Sequence, residues 1–429
     1  MTTLRILVPT HIMPNVKSVT TMFFDNLLNM LKTKVNVHII WLVYTPEKLG
    51  SPIQQTSDTT VLDIHDFKNA VEVIQKVKPN IIYASPTWSF IDYALSSAAK
   101  SFDIPVFCMI YSDIFSKKTK VEIIISDFTR FFQNSIPTDT EQNEKQFMRR
   151  GRFFIYKYLF LLRTKMILKT DRLHTIFMIW KFILSDKLDP KFGIDVIQFL
   201  ENENSLKQKL DIGFKKSNLV ITGNPIYDTA FQKLSEEKSS VNKDNVIHVL
   251  VAPSTLYEHG VWTRKQRDKA IAETITKLHE NMNEISIVVK IHPSSSVLSE
   301  YQSIIHSIAP SIPIYQKGDI LEFLINADVM VSFEASTAEV FALLSRKPIV
   351  ICNFFNLKED VFLERNMAVE CKDPSYLFKS IQQALSSNPA SEQKIENFIR
   401  EFMFKWDGHA KERICDKIMM LVKNSHSII

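Results

Sequence analysis

Three short stretches carry side chains suited to handling a phosphate. Lys290-Ile-His292-Pro293 closes an apolar run, Ile287-Val-Val-Lys-Ile291, where a chain must turn. Pro293 fixes that turn, so the His292 imidazole should project at the mouth of a sheet, where a hydrogen bond or positive charge stabilises a departing phosphate. A histidine that only caps the next turn is the plainer alternative. Lys290 shares the strand face of His292 and either adds charge there or is simply solvated. The second stretch, Ser332-Phe-Glu334-Ala-Ser336-Thr337-Ala-Glu339, follows the apolar run Ala327-Asp-Val-Met-Val331 and opens a helix running to Leu344. A strand, small polar residues and a helix start offer backbone N–H groups and a helix N-terminus to an anion. The Ser-x-x-Glu spacing of Ser336 and Glu339 is equally a capping box that needs no ligand. Glu334 stands in the loop before it. The third stretch, Ser254 and Thr255 with Glu258 and His259 nearby, follows the first strand of the second half and occupies the corresponding loop; ordinary turn chemistry is its alternative.

Two further residues are suited to taking a proton. His11 follows the first strand and Asp113 follows the strand around Phe107, and an imidazole or a positioned carboxylate can act as a base at either place. No carboxylate cluster suggests a metal.

The elements that must hold these residues alternate. Leu4–Val8, Val35–Leu42, Asn80–Ala84 and Pro105–Ile110 read as strands, and Val19–Leu31, Phe67–Val77 and Ile91–Ser101 as helices. Such alternation implies a doubly wound parallel sheet, with ligands at the carboxyl ends of the strands. Residues 229–245, rich in lysine and serine, look like a linker. The rhythm then restarts with a strand over Val246–Ala252, a helix over Thr263–Met282 and a strand over Ile285–Ile291. The expected division is an N-terminal domain over 1–228, with a loop and helical excursion over 133–215, the linker, a second domain over 246–405, and a last helix in 406–429. The expected fold class is α/β, with two Rossmann-like doubly wound parallel-sheet domains facing a cleft.

The excursion has its own texture. From Arg150 the chain turns aromatic and basic, and Ile155, Leu159, Leu162, Met166, Leu173, Phe177, Trp180 and Leu184 recur at gaps of three, four or seven. One reading packs this apolar stripe on the N-terminal domain. The other lays the helix on an anionic membrane surface. Ten Lys or Arg stand against one acid, Asp171, between Lys145 and Lys181, so this segment carries +9 and the rest of the chain −4. The net charge of +5 thus belongs to one patch, which argues against a whole-protein nucleic-acid signature.

Bulk properties bound the remainder. A chain of 429 residues, 45% hydrophobic and 23% charged, is long enough for two or three cored domains. Its four cysteines, Cys108, Cys352, Cys371 and Cys415, form no CxxC pair, which fits a reducing cytoplasm. The first strand pattern begins within a few residues of the start, so no signal peptide is expected. The longest apolar run, Phe153–Leu162, is about half of the roughly 20 residues that a membrane-spanning helix needs.

With these residues in place the chain resembles the GT-B superfamily, in particular the UDP-N-acetylglucosamine 2-epimerase-like proteins and the bacterial transferases that build capsules and teichoic acids. Val220-Ile-Thr-Gly-Asn-Pro-Ile-Tyr-Asp228 is similar to the segment by which epimerase-like chains cross into their second domain. Lys290-Ile-His-Pro293, the 332–339 stretch and Lys347-Pro-Ile-Val350 resemble the donor-binding half of capsule and polyol-phosphate transferases. Trp406-Asp-Gly-His-Ala-Lys-Glu-Arg-Ile414 is similar to the last helix of epimerase-like chains, which in that family crosses back to the first domain. The loop after the first strand, Val8-Pro-Thr-His-Ile-Met-Pro14, departs from the Gly-Thr-Arg-Pro-Glu type of the epimerases. A glycine-rich phosphate loop is also missing, since none of the eight glycines lies between Gly260 and Gly318.

The resemblance implies a metal-independent glycosyltransferase of surface polysaccharide or glycoconjugate assembly, with a nucleotide-sugar as substrate and no cofactor. It implies donor binding by Ser254, Thr255, Lys290, His292, Glu334, Ser336, Thr337 and Glu339, with Ser336 and Thr337 on phosphate oxygens and Glu339 on ribose hydroxyls. The glycan or lipid-linked acceptor would lie in the first domain, with His11 or Asp113 as base. A sugar-nucleotide 2-epimerase, a CDP-glycerol-type polyol-phosphate transferase and a non-catalytic nucleotide-sugar-binding or membrane scaffold protein are the alternatives. The expected location is cytoplasmic, with peripheral contact to the inner face of the cell membrane through residues 149–181.

Overall fold

Strand β1 (Thr3–Thr10) and strand β2 (Asn36–Val43) are paired in parallel over their full lengths, and every large apolar side chain in them is buried. Near-continuous apolar runs of this kind suit strands covered on both faces. The computed structural model describes residues 3–11, 13–15, 19–49, 56, 58–87, 89–110, 141–170, 175–177, 193–236, 246–258, 261–293, 297–333, 336–356 and 360–426. Asp113, Glu334 and His259, together with Leu173, Trp180 and Leu184 of the stripe, lie outside them.

The remaining strands are β3 (Thr59–Asp63), β4 (Ile81–Tyr83), β5 (Val106–Ile110), β6 (Ile197–Leu200), β7 (Leu219–Ile221), β8 (Ile247–Ala252), β9 (Ile285–Lys290), β10 (Ile314–Tyr315), β11 (Val329–Ser332), β12 (Ile349–Cys352) and β13 (Val369–Cys371). The helices used below are α1 (Val19–Lys34), α2 (Ala70–Val77), α3 (Phe90–Ser101), α4 (Glu141–Ile167), α5 (Ile226–Glu236), α6 (Arg264–His279), α7 (Leu298–Ile308), α8 (Thr337–Leu344) and α9 (Ala410–His426). Two parallel sheets result, ordered β3-β2-β1-β4-β5-β6-β7 and β10-β9-β8-β11-β12-β13. These are the two doubly wound sheets expected from the strand and helix rhythm. In each, the strand order reverses beside the first strand, at β1/β4 and at β8/β11, and the crevice outside such a point is where open α/β sheets take ligands.

The chain divides into two compact units. The first comprises residues 1–112, 118–229 and 401–429, and the second comprises 113–117 and 230–400. Side-chain alternation along the strands of the first unit builds two cores. Leu7, Ile40, Leu42 and Ile82 face α2, α3 and α4, whereas Ile6, Val8, Ile39, Trp41 and Phe107 face α1 and α9. In the second unit Val249, Val251, Ile287 and Val289 pack on α6 and α7.

Strand β3 was not evident from periodicity. Its sequence, Thr-Thr-Val-Leu-Asp, has only two large apolar residues, and its pairing with β2 along five residues places it in the sheet. Helix α4 also differs from expectation. The face that packs on the core carries Phe153, Phe160, Leu161 and Thr164, with Tyr156 donating its hydroxyl to the carbonyls of Ile64 (2.7 Å) and Phe67 (3.0 Å). The stripe that periodicity selects points the other way: Ile155 is 55% exposed and Met166 48%, with Leu159 and Leu162 between them half-buried. The helix is apolar on two faces, and a period alone cannot tell which one meets the protein.

Candidate functional site

The mouth of the second sheet gathers six of the sequence candidates. Ala252 at the end of β8 lies opposite Ser332 at the end of β11. The loops that follow therefore carry Ser254 and Thr255 on one side of the strand-order reversal, and Ser336 and Thr337 on the other. Ser254, Thr255 and Ser336 are half-buried and Thr337 is exposed. Ser336 caps α8: its hydroxyl accepts the Ala338 N–H at 3.2 Å, and the Glu339 carboxylate accepts the Ser336 N–H at 2.8 Å, completing a capping box. Glu339 also accepts a hydrogen bond from the hydroxyl of Ser332 and is fully buried. The capping alternative is thus realised at Glu339, and its carboxylate holds the helix start in place. His292 follows β9, the strand next to β8, and is exposed.

Lys290 has a different role. Its buried ammonium donates to the carbonyls of Ile291 (3.0 Å) and Gln316 (3.0 Å), tying together the ends of β9 and β10, and burial lowers its pKa. It clamps backbone at the sheet mouth.

Residues that the sequence left unranked complete this mouth. Tyr301 of α7 donates its hydroxyl to Glu258 Oε1 at 3.1 Å, and the Arg267 guanidinium lies 4.4 Å over the Tyr257 ring with Glu300 2.6 Å away. Trp262 packs edge-on against Phe333 and Phe355. Among the described residues, Glu258 Oε2 and Trp262 Nε1 are buried without a hydrogen-bond partner. Orphaned polar atoms of this kind are costly unless a water or ligand meets them. The run Tyr257-Glu-His-Gly-Val-Trp262 directly after a strand was the available signal.

The mouth of the first sheet is built from titratable groups. Tyr44 follows β2 and donates its N–H to the Thr10 carbonyl at 2.8 Å, and the His11 ring stands 6.1 Å from the Tyr44 ring. Partial desolvation, then the charge of Lys157 on α4, lower the His11 pKa and favour a neutral imidazole at pH 7. Across the reversal, after β4, the buried Asp92 carboxylate in the first turn of α3 accepts the Ser85 N–H (3.1 Å), the Tyr44 hydroxyl (3.3 Å) and the Ser89 hydroxyl. Burial pushes the Asp92 pKa up to about 6 against the opposing hydrogen bonds. No sequence signal singles out Asp92, because it sits inside an apolar helix pattern. Among the described residues no group of three or more His, Cys, Asp or Glu side chains is placed to hold a metal ion.

No protein-family model and no curated protein sequence matches the chain. Solved structures do. The UDP-N-acetylglucosamine 2-epimerase from Neisseria meningitidis bound to UDP-N-acetylglucosamine superposes with a TM-score of 0.50 at 12% identity, covering 98% of this chain and 100% of that one. The wall teichoic acid polymerase TagF gives 0.51 at 12% identity over 98% and 89% of the two chains. The calicheamicin glycosyltransferase CalG4 gives 0.50 at 10% identity over 99% of each. The chain shares the fold of these structures.

Two of the segments that carried the sequence resemblance bind one another within the first unit. Asp228, near the start of α5, accepts the backbone N–H groups of Ala410 (3.0 Å) and Lys411 (2.6 Å), capping α9. Arg413 donates to the Thr222 carbonyl at 2.7 Å and pairs with Asp407 at 2.9 Å. Gly223 has φ +78°, and a Cβ there would meet the Arg413 guanidinium at 3.3 Å, so glycine suits both its backbone and its neighbour. The chain is thereby brought back so that Ile414, Cys415 and Ile418 bury against α1.

Proposed function

We propose that the protein is a glycosyltransferase that moves a sugar from a nucleotide-activated donor to a glycan or lipid-linked acceptor. The observation that carries this reading is the mouth of the second sheet, where Ser254, Thr255, Ser336 and Thr337 flank the strand-order reversal beside the N-terminus of a capped helix. Hydroxyls beside a helix start are a phosphate site that needs no glycine-rich loop. His292, exposed after the adjacent strand, supplies the leaving-group contact, and Glu258 and Trp262 offer polar atoms for the nucleotide or sugar. Glu339 acts by fixing the helix start. For the proton acceptor, His11 and Asp113 are the candidates that the sequence offers. The UDP-sugar bound to the Neisseria epimerase makes uridine diphosphate the first donor class to test.

A thermal-shift screen with UDP-, CMP-, GDP- and CDP-linked sugars tests the reading, because a ligand that binds only the folded state raises the melting temperature. An epimerase would convert UDP-N-acetylglucosamine with no acceptor present, whereas a transferase releases the nucleotide.

The outer face of α4 supports peripheral membrane contact as part of the same reading. Ile155, Met166 and Ile167 are exposed on it beside the exposed Arg163, and Lys169 is exposed just beyond its end. Apolar side chains flanked by cations suit an anionic lipid surface. Among the described residues no helix is long and apolar enough to cross a membrane.

A further inference from the structure

Two of the four cysteines stand side by side in the second sheet. Strands β12 and β13 are parallel, and their last residues, Cys352 and Cys371, are register partners. Partners in neighbouring parallel strands point to the same face, and a strand spacing of about 4.8 Å lies inside the Cα separation of roughly 4.4–6.8 Å that a disulfide spans. Both side chains are buried in the core of the second unit, and both are free thiols. The Asn353 N–H donates to the Cys371 carbonyl at 2.9 Å, so the ladder continues past the pair and holds its register.

The thiols form a short relay. The Cys352 thiol donates to the Cys371 sulfur, and the Cys371 thiol donates to the Asp373 carbonyl 3.2 Å away. The bond from Cys352, joined by the Ser380 hydroxyl, lowers the Cys371 pKa against burial. Burial first, and then the same contact, raise that of Cys352. Cys108 and Cys415 sit one in each core of the first unit, and burial pushes both thiols up to about 12. The thiolate is the reactive form of cysteine, so Cys371 is the nucleophile of the set.

Solvent lies close to the pair. Strand β13 is the three-residue edge strand of its sheet, with Glu370 in its middle and Lys372 after it both exposed. Asp373, two residues beyond Cys371, lines a groove of about 320 Å³ with Ser375 and, from α6, Thr276 and Lys277. A short edge strand opens locally more readily than the strands it borders, which admits a small oxidant from such a groove.

We propose that Cys352 and Cys371 are a modification site, converted by a hydroperoxide into a reversible disulfide that ties the edge strand to β12. The Cys371 thiolate attacks one oxygen of hydrogen peroxide, the O–O bond breaks, and the departing hydroxide takes a proton to leave as water. The Cys352 sulfur then attacks the sulfur of the resulting sulfenic acid, the S–O bond breaks, and a second water leaves with the Cys352 proton. Two thiols are oxidised and one peroxide is reduced to water. The bond closes immediately before Asn353, Phe354 and Phe355, and the two rings pack on Phe333 and Trp262. Oxidation thus anchors one wall of the second mouth. Neither donor nor acceptor takes part, so the site stands apart from the transferase reading.

Exposure of the full chain to a few equivalents of hydrogen peroxide, then unfolding, alkylation of the remaining thiols and peptide mass mapping, tests it. The expected product is a Cys352–Cys371 linked peptide, lighter by two hydrogens than the two thiol peptides, with Cys108 and Cys415 fully alkylated. Dithiothreitol should return all four thiols. The oxidised protein should melt several degrees above the reduced one, since the bond closes a loop of about 20 residues. In Cys371→Ser that rise should vanish and Cys352 should lose its thiol at least about tenfold more slowly. Cys371→Ala carries the test if the serine variant melts early. Four thiols still free after peroxide, Cys371 driven to sulfinic acid with no linked peptide, or equal loss at Cys108 and Cys415 would overturn the assignment.

Discussion

At the mouth of the second sheet the polar side chains are hydroxyls, a capping carboxylate and one exposed imidazole; at the mouth of the first they are two histidines and two buried aspartates, roofed in part by a basic aromatic helix. Both mouths sit where a parallel sheet reverses its strand order, so topology does not separate them. The difference lies in what each set can do to a ligand. Hydroxyls at a helix start bind an anion without changing protonation, whereas Asp92 and His11 are groups whose protonation their burial shifts. Under the transferase reading, the second mouth holds a phosphate and the first transfers a proton, the division of labour that a two-substrate transfer requires.

Substitutions should therefore separate by mouth. The largest effect expected is the contrast in donor affinity, which His11→Ala should leave unchanged. Ser336→Ala and His292→Ala should do the reverse and weaken donor affinity by roughly tenfold each, the value of a hydrogen bond to a charged group. Isothermal titration with the donor found by thermal shift, beside rate measurements, checks both. Equal loss of affinity in all three variants would erase the distinction.

The next effect concerns pH. Asp92 has its folded pKa raised from 3.8 to about 6. Its contribution to stability is therefore fully present below the unfolded value near 4 and is lost as pH rises through 6. The shift corresponds to about 3 kcal/mol between pH 4 and 7. Urea unfolding of Asp92→Asn across that range should show a flatter pH dependence than the wild type. Asp228→Ala removes two backbone acceptors from the start of α9 and should cost on the order of 1–2 kcal/mol in the same assay. The smallest effect on stability, within about 0.5 kcal/mol, is expected from Ile155→Ser with Met166→Ser. Flotation with phosphatidylglycerol vesicles should nevertheless show that this pair loses membrane binding, while phosphatidylcholine vesicles bind neither protein.

How much of this was legible in the sequence follows the same division. The second mouth could be read because its residues lie directly after strong strand patterns: His292 after Ile287–Ile291, Ser336 and Thr337 at a helix start. Even there Lys290 misled, since a lysine at a strand end reads as a free cation until its ammonium is seen on two carbonyls of neighbouring strands. The first mouth was mostly hidden. Asp63 and His65 follow β3, whose Thr59-Thr-Val-Leu-Asp63 is too short and too polar to announce a strand, and only pairing with β2 brings them level with His11. Asp92 lies within the helix pattern of α3, and its meeting with Tyr44, 48 residues earlier, is tertiary. The apolar stripe of α4 was read correctly as a stripe, but a helix apolar on two faces gives no sign of which one is covered.

The central claim is that the second mouth binds the donor's phosphates, and thermal shift of the wild type, His292→Ala and Ser336→Ala with nucleotide sugars tests it most directly. At a hundredfold excess over Kd a donor adds about 2.7 kcal/mol, a rise of roughly 5–10 °C for units of this size. One nucleotide class should produce that rise in the wild type, and both substitutions should reduce it. A rise of the same size in all three proteins, or none with any nucleotide sugar, would contradict the account.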